Sequence, residues 1–175
     1  MKKLDLGCGK KKRDGFVGVD WSERHNADVI HDLNKFPYPF DDCSIDLIFM
    51  DNILEHLKNP VKVMEEIHRI LKPEAEVVII VPYFRSVWAF IDPTHVTFYT
   101  VNSFAYYDPR HIICKRYDYS NIRFKVQSIV FNQELKNGFF KKLIIKFANK
   151  FPNHYELYLS HLFPLDDITF NLKKL

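Results

Sequence analysis

Short apolar runs, each closed by a glycine or an acid, set the rhythm of the first half of the chain. Residues 3–6 lead into Gly-Cys-Gly, residues 16–19 end in Asp20 and Trp21, residues 28–31 end at Asp32, and residues 45–50 end at Asp51. The run at 45–50 is apolar apart from Asp46, and residues 76–81 repeat it, as expected of strands buried on both faces of a parallel sheet. Between these two, Asn59 and Pro60 read as the N-cap and first turn of a helix. Its apolar face is predicted at Val61, Met64, Ile67 and Leu71, with Lys72-Pro73 closing it. Only residues 10–15 separate the glycine turn from the second strand. A parallel crossover needs a dozen residues or more, so the first helix should be missing or reduced to a turn.

Beyond residue 90 the pattern loosens. It predicts a helix near 101–107, an alternating strand at 123–131 and a last strand at 168–172 that pairs with it. Residues 135–151 place Phe140, Leu143, Ile144, Phe147, Ala148 and Phe151 on one face and Lys142, Lys146 and Lys150 on another. That is a basic amphipathic helix, suited either to covering the sheet or to lying on a membrane surface. The whole reads as a single α/β domain, 1–175, with 132–166 as a helical insertion between the last two strands.

Composition narrows the reading. With 175 residues, 47% of them apolar, the chain suits one domain with a sizeable core. No run approaches the ~18 apolar residues of a membrane span. Lys2 and Lys3 lead straight into a strand without the apolar region of a signal peptide, so a cytoplasmic protein is expected. Cys8, Cys43 and Cys114 lie far apart, which suggests neither a zinc site nor a disulfide framework. A net charge of +3 is too small to argue for nucleic acid. The 16 Phe and 9 Tyr, many of them late in the chain, point to a pocket or an apolar surface there.

Candidate chemistry gathers where the strands end, since ligands of open α/β sheets bind outside the carboxyl ends of the strands. In the stretch Leu-Asp-Leu-Gly-Cys-Gly at 4–9, the missing Cβ atoms let a ligand lie against the backbone. The acids Asp5, Asp20, Asp32 and Asp51 offer charge-assisted acceptors to a diol or an amine, and they favour a cationic ligand over a phosphate-bearing one. Lys12 at the third-glycine position of GxGxxG weighs further against a dinucleotide.

Taken together, LDLGCG, GVDW, HDL, DDCSIDLIFMDNILEHL, LKPEAEVVIIVP and DPTHVTFYT resemble the class I S-adenosylmethionine-dependent methyltransferases. Within them the chain looks like the small, type 11-like branch with an LEH motif after strand four. The likeness spans residues 3 to about 105. It implies a Rossmann-like, doubly wound and mostly parallel sheet of about seven strands, with a C-terminal antiparallel strand and reduced N-terminal helices. It also implies S-adenosyl-L-methionine as cofactor. Asp5, Gly7, Cys8 and Gly9 match the first motif, which holds the methionine part. Asp20 would accept both ribose hydroxyls, Trp21 would wall the adenine, and Asp32 with the Leu33 amide would read the adenine edge. Asp51 would line the methionine end. The chain departs from the family in lacking the early helices, so residues 132–166 or a second subunit would have to cover the cofactor on that side.

Methyl transfer from a sulfonium asks the protein for alignment and a base, and no metal. His95 is the preferred base for a hydroxyl acceptor, then His56, with Asp92 and Tyr83 as orienting groups. Asp-Asn-Ile-Leu stands where base-methylating enzymes carry a [DNS]PP[YF] motif, which argues against nucleic acid as acceptor. The expected acceptor is a small molecule, a sugar or a lipid-linked intermediate. The alternative is a cofactor-binding regulatory or partner subunit without activity of its own.

Overall fold

The computed structural model describes residues 1–117, 119–132 and 138–175. Seven strands form one sheet: β1 Lys3–Leu6, β2 Val17–Asp20, β3 Val29–Ile30, β4 Ile45–Asp51, β5 Leu71–Pro82, β6 Phe124–Phe131 and β7 Asp167–Lys174. Their order is β3-β2-β1-β4-β5-β7-β6, and β7 alone runs antiparallel to its neighbours. This is the expected Rossmann-like arrangement. The order reverses beside β1, so the glycine turn that follows β1 sits at the switch point where such sheets bind ligands.

One face of the sheet is dry. Leu4, Leu6, Ile48, Met50, Val77, Ile79, Phe170 and Leu172 are fully buried there. They share a core with helix α1, Pro60–Ile70, and with Tyr99, Phe104 and Tyr107. Asn59 caps α1 as predicted, its side chain accepting the Lys62 amide at 3.1 Å. The buried stripe of α1 is Val63, Met64, Ile67 and Ile70, whereas Val61 is only half-buried. Leu71 belongs to β5, opposite Ile45, because the chain leaves the helix directly into the strand. The ammonium of Lys174, nearly buried, donates to the Leu71 and His68 carbonyls at 2.7 and 2.6 Å, closing the helix's C-terminal end.

The opposite face is open, so β4 and β5 are not buried on both faces as their apolar runs predict: Val78 and Ile80 are only half-buried. Phe49, Val78, Ile80, Thr169 and Asn171 line a groove of about 620 Å³ with no helical residue among its described walls. Residues 10–15 form turns and no helix, as their number predicts. Arg13 from that segment lays its guanidinium 3.5 Å from the centre of the Phe49 ring.

In the second half, the helix expected at 101–107 is replaced by turns and a short 3-10 segment, Ala105–Tyr107. Tertiary packing overrides the local pattern: the Phe104 ring sits 4.6 Å from Phe170 and 6.0 Å from Tyr99, and the Glu156 carboxylate accepts the Val101 amide at 2.9 Å. Two short helices, α2 Trp88–Ile91 and α3 Ile112–Arg116, flank this region. The basic amphipathic helix is α4, Phe139–Lys150; residues 135–137 of its predicted span lie outside the described residues. Its predicted apolar face is mostly not inward. Ile145 and Ala148 are buried, while Phe139, Phe140, Leu143, Phe147 and Phe151 are exposed. The contact with β6 is a narrow stripe, and the helix is apolar over a wider arc than that contact covers.

Candidate functional site

The predicted cofactor residues fall around two adjoining hollows that share Gly7. The first, about 390 Å³, is walled by Gly7, Asp20, Trp21, Asp32 and Leu33. The second, about 450 Å³, is walled by Gly7, Asp5, Cys8 and Asp51, together with Lys11 and Arg13. Gly9 belongs to neither wall but donates its amide to Asp20 Oδ2 at 2.9 Å. Of the segment 132–166 expected to cover the cofactor, no described residue lines either hollow, and 133–137 lie outside the described residues.

Both glycines of the turn adopt left-handed backbone, with φ of 73° at Gly7 and 56° at Gly9. At Gly7 the reason is also steric, since a Cβ there would lie 2.4 Å from the Ile53 side chain. Asp5 is buried at the end of β1, and its Oδ2 accepts the Arg13 amide at 2.9 Å. Burial, followed by the nearby Asp20 and Asp5 charges, pushes the Cys8 thiol up to about 11, so it stays protonated.

Asp20 is more engaged than expected. Its Oδ1 accepts the Ser22 amide at 3.0 Å and meets His25 Nδ1 at 2.7 Å, and its Oδ2 accepts the Gly9 amide. Burial opposes its charge, but the Ser22 amide, His25 and the Gly9 amide together hold the carboxyl below its usual pKa. A carboxylate oxygen has two lone pairs, so Oδ2 keeps room for one further donor, whereas Oδ1 takes another only if His25 gives way. Asp32 turns its Oδ1 to the Asn34 amide at 2.9 Å. Trp21 is 70% exposed and forms an open wall.

Next to the first hollow lies a third, about 450 Å³, walled by Asn52, Glu55, His56, Asp92 and His95. His56 and Asn52 face both, so the two are continuous. The 3-10 turn Leu54–His56 brings His56, the second candidate base, into the wall. His95 arrives from the loop after α2 and packs its ring edge-on against that of His56, centroids 4.6 Å apart. His95 Nδ1 donates to the Ala89 carbonyl at 3.0 Å, which leaves Nε2 to face Glu55 Oε1 at 3.9 Å. Glu55 is 1% exposed, and neither of its carboxylate oxygens has a hydrogen-bond partner among the described residues. Burial pushes its carboxyl up to about 7. Burial, and then His95, pushes His56 below the ordinary histidine pKa. Asp92 orients His56 through Thr94, whose hydroxyl is 2.7 Å from Asp92 and 2.8 Å from His56 Nδ1. Tyr83 takes no part: its ring is fully buried, and its hydroxyl donates to Glu156 at 3.3 Å.

Glu55, Arg13 and His25 were not singled out from the sequence. A lone acid within the apolar stretch Ile53 to Leu57 was the available signal for Glu55.

Residues 4–79 match a family model described as a methyltransferase domain. Solved structures of similar fold agree with it. One is an S-adenosylmethionine-dependent methyltransferase from Archaeoglobus fulgidus, at TM-score 0.58 and 20% identity, covering 99% of this chain and 86% of that one. Another is an S-adenosylmethionine-dependent methyltransferase from Mesorhizobium loti, at TM-score 0.60 and 12% identity, covering 99% and 90%. A third, from Haloferax volcanii, is a complex of the Trm112 methyltransferase activator with a methyltransferase, at TM-score 0.58 and 20% identity, covering 99% and 81%. No curated protein matches the chain. S-adenosylmethionine is the cofactor that goes with the matched domain, and the two hollows fit it chemically. Carboxylates and an indole stand at one end, and both signs of charge, Asp5 and Asp51 against Lys11 and Arg13, stand at the other.

Proposed function

We propose that the chain transfers a methyl group from S-adenosylmethionine to a hydroxyl of a small-molecule, sugar or lipid-linked acceptor. The observation that carries this reading is the opening of Asp20 and Asp32 onto one crevice beside Gly7, continuous with the Glu55, His56 and His95 hollow. When bound, the cofactor supplies a methyl group on a positively charged sulfur.

The chain's own residues divide the remaining work. Asp20 Oδ2 accepts one ribose hydroxyl, and His25 yields Oδ1 to the other. Asp32 accepts the adenine amino group, the Leu33 amide donates to a ring nitrogen, and Trp21 shields the ring. Asp5 and Asp51 take the amino group of the methionine end, while Arg13 and Lys11 take its carboxylate, a zwitterion needing both signs of charge. His95 can accept the acceptor's proton only at Nε2, because its Nδ1 already donates to Ala89. The exposed Phe139, Phe140 and Leu143 of α4, with Lys142 and Lys146 beside them, support a lipid-linked acceptor presented at an anionic surface.

Incubation of the chain with methyl-labelled cofactor and separated aqueous, lipid and RNA fractions tests the reading. Label is expected in the aqueous or lipid fraction, and label confined to RNA overturns it. A second reading, a cofactor-binding subunit completed by another protein, is favoured by the open sheet face at Phe49, Val78 and Ile80. It predicts cofactor binding without turnover until that protein is added.

A further inference from the structure

The Glu55, His56 and His95 hollow brings three potential acceptors together. The Ala89 carbonyl can only accept, so the proton of neutral His95 sits on Nδ1 and its Nε2 turns a lone pair toward Glu55. The Thr94 hydroxyl has one proton and an Asp92 oxygen 2.7 Å away to receive it. It therefore accepts from His56 Nδ1, and His56 Nε2 is also left with a lone pair. The third member is a buried carboxylate with no donor on either oxygen among the described residues. One ligand atom from each of the three lies within 4.8 Å of the others.

Two imidazole nitrogens and a carboxylate held this way repel one another unless a proton or a metal cation lies among them. The 3.9 Å between His95 Nε2 and Glu55 Oε1 is too long for a hydrogen bond. It is close to the spacing of about 3–4 Å between two ligands of one tetrahedral ion bound at roughly 2.0–2.2 Å. Both histidines have the outer partner that metal-binding imidazoles usually have, a backbone carbonyl for His95 and a hydroxyl–carboxylate relay for His56.

The geometry points to a binding site for a divalent transition-metal ion, with Glu55, His56 and His95 as its three protein ligands and an open position facing the hollow. Two nitrogens and one oxygen suit Zn²⁺ or a neighbouring first-row ion better than Mg²⁺ or Ca²⁺. The role of the ion rests on the methyl-transfer reading, whereas its binding does not. An acceptor hydroxyl entering the open position would keep its oxygen on the ion and release its proton to solvent water, leaving an oxygen nucleophile beside the cofactor crevice. Metal-bound His95 would then hold the ion and would not act as a free base.

The test uses the tag-free full chain, stripped with a chelator and titrated with Co²⁺ and then Zn²⁺, with S-adenosylhomocysteine binding measured on the same samples. One equivalent of Co²⁺ should bind with visible ligand-field bands and be displaced by Zn²⁺. Glu55→Ala and His95→Ala should weaken uptake more than about 100-fold, and Thr94→Val about 10-fold. His161→Ala, at an exposed histidine elsewhere, should leave uptake unchanged. Absence of uptake, or uptake that Glu55→Ala and His95→Ala both retain, overturns the site. If those two variants fail to fold by circular dichroism, Thr94→Val decides, because its hydroxyl is at an exposed residue and unchanged affinity there also overturns the site. S-adenosylhomocysteine binding without metal uptake removes this inference alone, and metal uptake without such binding removes the methyl-transfer reading alone.

Discussion

Alanine at Gly7 should cost far more than alanine at Gly9, although both residues sit in one turn with left-handed backbone, at φ 73° and 56°. The backbone term is common to both, about 1–2 kcal/mol for an L-residue in that region. The packing term is not. At Gly9 a Cβ meets nothing within 4 Å, whereas at Gly7 it falls 2.4 Å from Ile53 Cγ1 and 2.7 Å from Ile53 Cβ. Carbons pack best at about 3.5–4.0 Å, so Ile53 or the end of β1 must move by more than about 1 Å. Overpacking of this kind costs about 1–3 kcal/mol. Gly7→Ala should therefore lose about 2–5 kcal/mol and Gly9→Ala about 1–2 kcal/mol. Urea unfolding followed by far-UV circular dichroism gives both values. Adding Ile53→Ala removes Cγ1 and Cδ1 but keeps Cβ, so a double-mutant cycle should show favourable coupling of at least about 1 kcal/mol. Equal losses for the two glycines, or zero coupling, would refute the steric account.

Other perturbations probe the site and the frame that carries it. Asp20→Asn should weaken S-adenosylhomocysteine binding about 10- to 100-fold by calorimetry, the value of one to two charge-assisted hydrogen bonds. Asn59→Ala should lower stability by about 1 kcal/mol, read as a shift in the urea midpoint, because the Lys62 amide loses its cap. Lys174→Met should cost about 1–3 kcal/mol in the same assay by leaving the Leu71 and His68 carbonyls buried without a donor. Asp108, held down to about 2 chiefly by the Arg110 guanidinium, gives stability that is present above the ordinary carboxyl pKa of 3.8 and lost as pH falls toward 2. Unfolding free energy should thus drop more steeply between pH 4 and pH 2 in the parent chain than in Asp108→Asn; parallel slopes would contradict this.

The parallel half of the fold was legible because its strands carry apolar residues toward the dry face and most of them stop at an acid or a glycine. Leu4, Ile48 and Val77 had to be apolar, and Asp20 and Asp32 stand where strands stop at the ligand side. Asn59-Pro60 fixed the start of α1 through capping chemistry that is local to four residues. What was not legible depends on partners distant in the chain. Phe104 is placed by Phe170, and the metal-type cluster joins Glu55 to His95 across forty residues with no spacing rule linking the two. The face of α4 was misjudged because its apolar arc is wider than the stripe it packs, and periodicity does not say which part is covered.

The position of β7 between β5 and β6 has a kinetic consequence. Until residues 167–174 are available, β6 has no neighbour to bond to and the β5 edge, an almost unbroken apolar run from Val77 to Pro82, stays unzipped. The β1–β5 half can assemble while the rest of the polypeptide is still emerging, but it must wait with a sticky margin exposed, a state prone to pairing with another copy. Slow expression at low temperature, or a chaperone that shields that margin, should therefore raise the yield of correctly closed protein more than any change to the cofactor crevice.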